Sequence, residues 1–191
     1  MLSYSIACIL GSIAKEKAVS IGVPMAIAIV DNGGHLIYFC KMDRTLPAST
    51  DLAISKAYTA ATLRMETSEL GKLAQPGEVL YGIQHALDGK VVLFGGGLPL
   101  YLDEEVVGGI GISGGSVEED ILVAKPVTEA LAAMEQLSKQ FLGIPSDRIL
   151  SMFGMHQFHN ELRRTLCSIE PALTSVEIDI VVGAALMALD S

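Results

Sequence analysis

An α+β fold with a mainly antiparallel sheet flanked by helices is the architecture this sequence predicts, and three observations carry it. Apolar runs of strand length alternate with tight turn signals: Met25 to Val30, then Asp31-Asn32-Gly33-Gly34, then His35 to Met42. Helical periodicity stands before, between and after the strand-like runs. The stretches Phe94–Leu102 and Val107–Gly115 set clusters of glycine between apolar residues, which marks tight corners or backbone brought close to a ligand. The resulting order is α-β-β-α-β-β-β-α, with short hairpins in the sheet and helices against it.

The elements follow from local signals. Leu2, Ile6, Leu10 and Ile13 recur at helical spacing, and Gly22-Val23-Pro24 stops that helix. Met25 to Val30 is a continuous apolar run, as expected of a strand covered on both faces. Asn32-Gly33 is a hairpin signal, because such a pair supplies the positive φ that a tight turn needs. Pro47 to Met65 reads as a helix with Leu52, Lys56, Thr59 and Leu63 on successive turns. A Gln75-Pro76-Gly77 corner leads to a short helix over Tyr81–Ala86, and Asp88-Gly89 opens a strand through Val91, Val92, Leu93 and Phe94. Leu98–Leu102 and Val106–Ile112 form a second hairpin across Asp103-Glu104-Glu105. Ser116 and Glu119 fit a capping box for the next helix, which Pro126 is expected to interrupt or kink.

Gly143-Ile144-Pro145 marks a boundary. Residues 1–142 are therefore expected to form the sheet-and-helix domain, and 143–191 a helical C-terminal extension. Met152, Met155, His159, Leu162 and Leu166 fall at helical spacing there, and a second helical run extends from Leu173 to Leu189. That stripe suits a groove or a bundle, and the extension is expected to pack on the first domain, on a symmetry mate or on a partner.

The chain has 191 residues, half of them apolar, with 18% charged and no Trp. It is long enough to bury a largely aliphatic core, and too apolar for disorder. A formal charge of −9 disfavours nucleic acid and anionic membrane surfaces, both of which need a basic face. Cys8, Cys40 and Cys167 are far apart within apolar patterns and read as free, buried thiols in a reducing compartment. No basic residue precedes Lys15, so the first helix does not read as a leader. No apolar run reaches the roughly 18 residues of a membrane span. A cytoplasmic location is the expectation.

Chemistry-bearing residues are few. Gly109-x-Gly111-x-x-Gly114 matches the dinucleotide fingerprint in letters only. Glu118, Glu119 and Asp120 crowd the helix start where a pyrophosphate would sit, and no following strand brings an acid to a ribose. Gly95, Gly96 and Gly97 after Phe94 carry two open readings: backbone amides approaching a flat or anionic ligand, or a sharp bulge joining two strands. His35 after the hairpin turn is either an iron or metal ligand or an ordinary surface residue. Lys56, with Thr59 near it on the same helix face, either anchors a carboxylate beside a cavity or is solvated. His156 and His159 make half a zinc site without a third ligand at a diagnostic spacing.

Taken jointly, Ile29-Val30-Asp31-Asn32-Gly33-Gly34-His35, Met42-Asp43, Ser55-Lys56-Ala57-Tyr58-Thr59-Ala60, Phe94–Pro99 and Val107–Gly115 resemble the GlcG/HbpS-like family of haem-binding proteins over residues 1–142. Within it the chain is most similar to the C-terminal domain of PduO-type proteins and to OrfY-type proteins, which accompany cobalamin-dependent diol and glycerol dehydratases. The resemblance implies a profilin-like fold, homo-oligomers, and haem or a corrinoid (cobalamin) as ligand. With such a ligand, the expected tetrapyrrole pocket comprises Phe94, Gly95, Gly96 and Gly97 with Lys56 and Thr59 as polar anchors, and any iron ligation falls to His35 or a hydroxyl. Adenosyltransferase activity belongs to a separate N-terminal domain of PduO-type proteins and is not expected here. The first helix has no His, so no histidine ligand is expected from it. An enzyme acting on a small metabolite, with Lys56 or His35 as general base, and a scaffold docking through its C-terminal helices are the alternatives.

Overall fold

A computed structural model describes residues 2–140. The expected extension over 143–191, with its helical runs, His156, His159 and Cys167, lies outside the described residues. Contacts divide the chain into compact units of residues 1–128 and 129–191, and the sheet belongs to the first. In chain order the elements are α1 (Tyr4–Ser20), β1 (Ala26–Asp31), β2 (Leu36–Lys41), α2 (Ser49–Leu63), α3 (Thr67–Leu73), β3 (Gly97–Leu102), β4 (Glu105–Ser113) and α4 (Val117–Gln140). The strands form one antiparallel sheet in the order β2-β1-β4-β3. The expected α+β class holds.

Small residues decide how α2 sits. Ala26, Ala28 and Val30 of β1 lie across from Ser113, Gly111 and Gly109 of β4, and Ala53, Ala57 and Ala61 of α2 pack on that face. A Cβ at Gly111 would run into the Ala53 carbonyl, and one at Gly109 into that of Ala57. The helix backbone therefore rests almost on the strand backbone. Alternation puts Ile27, Ile29, Ile110 and Ile112 on the opposite face, fully buried, and α1 packs on β1 and β2.

The two hairpins differ from each other. In the first, only Gly34 has positive φ (83°). Asp31 N–H donates to His35 O (2.9 Å) and Gly34 N–H to Asp31 O (3.0 Å), giving a three-residue loop rather than a turn built on Asn32-Gly33. In the second, Asp103 and Glu104 both have positive φ (50° and 65°), as a two-residue type I′ turn requires.

Several expectations are corrected. Val91 to Phe94 is not a strand. β4 already has β1 and β3 as neighbours, and Val92 N–H instead meets the Thr59 hydroxyl (3.0 Å). Tyr81–Ala86 holds only a 3-10 turn at Ile83–His85. The α3 helix was not expected. Gly71 masks it in the pattern, and there a Cβ would collide with the Leu93 carbonyl. Pro126 does not interrupt α4; the carbonyl it leaves without a donor belongs to Leu122, which is exposed to water. Cys8 and Cys40 are free but half-buried rather than buried. The capping box forms as expected, with Glu119 N–H donating to Ser116 Oγ (3.2 Å) and Ser116 N–H to Glu119 Oε2 (2.8 Å). No helix among the described residues is long and apolar enough to cross a membrane.

Candidate functional site

The side chains singled out by sequence fall into two places, one inside the domain and one on its surface. Lys56 is completely buried on α2. Its Nζ donates to Asp120 Oδ2 at 2.6 Å and to Ile112 O at 2.9 Å, and lies 4.9 Å from the centroid of the Phe94 ring. Asp120 also accepts Gly115 N–H (3.2 Å) on its other oxygen. Burial pushes the Lys56 amine below its usual range, against the pull of Asp120. Burial likewise raises the Asp120 carboxyl, against Lys56 and the Gly114 and Gly115 amides. Desolvation thus disfavours the charged form of each partner, and the short contact with its extra hydrogen bonds offsets part of that cost.

The glycine run walls in this pair. Gly96 has φ +107°, and a Cβ there would meet Lys56 Nζ and the Ile112 carbonyl at 2.8 Å. Gly97 lies against the Lys56 carbonyl, with its N–H on Thr67 Oγ1 (3.0 Å). Gly95 lies against Ile121 and Val117. All three glycines are buried, while Phe94 is 42% exposed. Protein atoms occupy the space their missing side chains leave.

Thr59 is buried one turn on from Lys56. Its hydroxyl donates to Ser55 O (2.7 Å), lies 3.2 Å from Lys90 O, and accepts Val92 N–H. It fixes the chain segment that carries Lys90.

The outer place is a half-open cleft of about 380 Å³ lined by Gly33, Gly34, His35, Ile54, Ser55, Tyr58 and Lys90. The first hairpin forms one wall and the outer face of α2 the other. Gly34 is tight against the Tyr58 ring, and Lys90 Nζ sits 5.4 Å from that ring's centroid, a cation–π distance. Asp31 shapes the hairpin. Its Oδ1 accepts Gly33 N–H (2.8 Å) and His35 N–H (2.9 Å), and both its oxygens lie 3.2 Å from His35 Nδ1. Desolvation alone would raise the Asp31 carboxyl; these bonds from His35 and Gly33 outweigh it and hold the group below its usual range. The His35 side chain is 83% exposed.

The structure thus brings His35 together with Ser55 and Tyr58. It does not bring it to Lys56 and Thr59, each one residue further along the helix and turned inward. Tyr58, Lys90 and Ile54 were missed as cleft residues. Asp120 was missed as a partner, although a signal existed: it shares a helical stripe with the buried Val123, Ala124 and Val127, and Lys56 shares one with Ala53, Ala57 and Ala60. Opposite charges on two apolar stripes call for each other. Among the described residues, no group of three or more His, Cys, Asp or Glu side chains stands together as a metal cluster.

A family model described as "Haem degrading protein HbpS-like" matches residues 2–129, about where the first compact unit ends. The chain belongs to the HbpS-like family. Among its HbpS-like relatives is an uncharacterized 15.0 kDa protein from the dhaT-dhaS intergenic region of Citrobacter freundii. It is 40% identical over 120 residues, 63% of this chain and 84% of the relative. The corrinoid adenosyltransferase PduO of Salmonella typhimurium is 43% identical over 118 residues, 62% of this chain but only 35% of PduO. A crystal structure of a PduOC:heme complex superposes with a TM-score of 0.64 and 42% identity, covering 66% of this chain and 92% of that one.

Proposed function

We propose that the chain is a haem-binding accessory module whose ligand site is the hairpin cleft, with His35 as the iron ligand. One observation carries this: the His35 imidazole has Nδ1 against Asp31 and, among the described residues, no partner on Nε2, beside a cleft that also presents an ammonium and an aromatic ring. The donor set fits haem: an imidazole for the iron, Lys90 for a propionate, and Tyr58 with Ile54 for the apolar macrocycle. When bound, haem would supply the redox and ligand-binding chemistry of its iron. Lys56, Thr59 and the Phe94–Gly97 segment act behind the cleft, holding α2 and the Lys90 segment in place. The haem-bound PduOC structure supports the ligand class. Self-association, and service to corrinoid-dependent diol or glycerol metabolism, extend the proposal through the PduO relatives.

Catalysis with Lys56 as general base gains no support, because its amine is buried between Asp120 and Ile112 O. His35 is exposed, and among the described residues it has no acid–base partner beyond the Asp31 that orients it. Docking through the C-terminal helices concerns residues outside those described.

Titration of the purified full chain with haemin, followed by visible absorption, tests the proposal; cobalamin is titrated in parallel. A saturable change with haemin is expected, weakened or spectrally altered by His35→Ala. A response to cobalamin alone would replace haem by a corrinoid, and no response to either would overturn the proposal.

A further inference from the structure

We infer that Asp31 is a positioning residue that selects the His35 tautomer and so makes Nε2 the atom offered to a ligand in the cleft; this rests on the reading of the cleft as a haem site.

The hairpin is built to do this. Asp31 ends β1 and His35 follows the turn, four residues on. Strand pairing closes the loop through Asp31 N–H to His35 O, so the two residues face each other across its base. The carboxylate then takes three donors from one loop: Gly33 N–H at 2.8 Å, His35 N–H at 2.9 Å, and the imidazole Nδ1 at 3.2 Å. The two backbone bonds hold the carboxylate independently of the ring. A carboxylate only accepts, so the neutral imidazole can bond to it only with the proton on Nδ1. The lone pair is then on Nε2, and among the described residues nothing else engages that atom.

A carboxylate behind an imidazole is also the arrangement that orients metal-ligating histidines and raises their basicity. Gly33 matters to this arrangement, because a Cβ there would meet the His35 ring at 3.0 Å. The glycine leaves room for the ring to lie back over the turn, against Asp31. Sequence alone hides this pairing, since Asp31 reads as a turn residue and His35 as the first residue of a strand.

The experiment uses the full chain with 15N-labelled histidine. Ring nitrogen shifts are recorded without ligand at a pH where imidazole is neutral, and His35→Ala assigns the signal. The wild-type His35 is expected as the Nδ1–H tautomer, with that preference lost in Asp31→Ala. Asp31→Asn keeps an oxygen for the two backbone amides while removing the charge, which guards against a hairpin that merely loosens. Haemin titration of the same proteins is the second readout: both Asp31 variants are expected to bind some ten- to a hundredfold more weakly, with an altered Soret band. An Nε2–H tautomer in the wild type would overturn the inference, as would Asp31 variants that bind haemin with unchanged Kd and spectrum. A wild type that holds the Nδ1–H tautomer but ignores haemin would sink the haem reading and leave the role of Asp31 standing.

Discussion

The domain contains two pairings of a carboxylate with a basic side chain, and their surroundings set them apart. Lys56–Asp120 sits in the interior at 2.6 Å, sealed by Gly96, Ile112 and the Phe94 ring. Asp31–His35 sits on a hairpin at the mouth of a cleft, with the imidazole largely in solvent. Burial drives the Asp120 carboxyl up, whereas donors from the turn bring the Asp31 carboxyl down despite its own desolvation. The inner pair leaves almost nothing open to solvent. The outer pair leaves Nε2. Similar chemistry thus holds α2 to α4 in one place and presents a site in the other, and solvent access makes the difference.

Removing one partner is the harshest way to break this contrast. Lys56→Ala or Asp120→Ala leaves a lone buried charge and is expected to destabilise the fold by about 3–5 kcal/mol in urea unfolding. The double variant Lys56→Met/Asp120→Leu is expected to lie much nearer the wild type, because it abolishes both desolvation costs. A mild single-variant effect would mean that water reaches the inner pair.

Backbone clearance separates the regions next. Gly111→Ala drives a methyl group into the Ala53 carbonyl and is expected to cost about 1–3 kcal/mol as overpacking. Gly33→Ala meets the His35 ring at 3.0 Å and Asp31 Oδ1 at 3.3 Å; the ring is exposed and can turn aside, so unfolding should move by no more than about 0.5 kcal/mol. Equal costs would contradict the contrast in packing.

The acids should give opposite pH slopes. Asp31 has a folded pKa below the ordinary 3.8, so its contribution is present above that value and is lost as pH falls through the folded pKa. Wild-type stability relative to Asp31→Asn should therefore fall on acidification. Asp120 has a folded pKa above 3.8, so its contribution is present below 3.8 and is lost as pH rises through the folded pKa. Wild-type stability relative to Lys56→Met/Asp120→Leu should fall as pH rises over that window. Urea midpoints collected across the acidic range measure both slopes.

The fold was largely legible. Hairpin spacing, the apolar β1 run and the Ser116–Glu119 capping box are local signals, and the structure keeps them. What failed was non-local. Val91 and Val92 have strand composition, yet β4 has no free edge for them and a threonine hydroxyl takes the amide instead. The glycine runs were legible as close approach but silent on what approaches; at Gly111 it is the α2 backbone, and at Gly96 it is the Lys56 amine. Helical spacing placed Lys56 and Thr59 on one face correctly. Which face looks into the cleft depends on the rotation of α2, and the alanine stripe Ala53-Ala57-Ala60 was the available clue: it turns those two residues inward and leaves Ile54, Ser55 and Tyr58 to the cleft.

A haemin titration comparing the wild type with His35→Ala tests the central claim most directly. The account predicts a saturable visible-absorption change in the wild type. It also predicts that His35→Ala weakens or reshapes that change while its unfolding midpoint stays within about 0.5 kcal/mol of wild type. Identical titrations of the two proteins would contradict it, because the hairpin cleft would then not be where the iron is held.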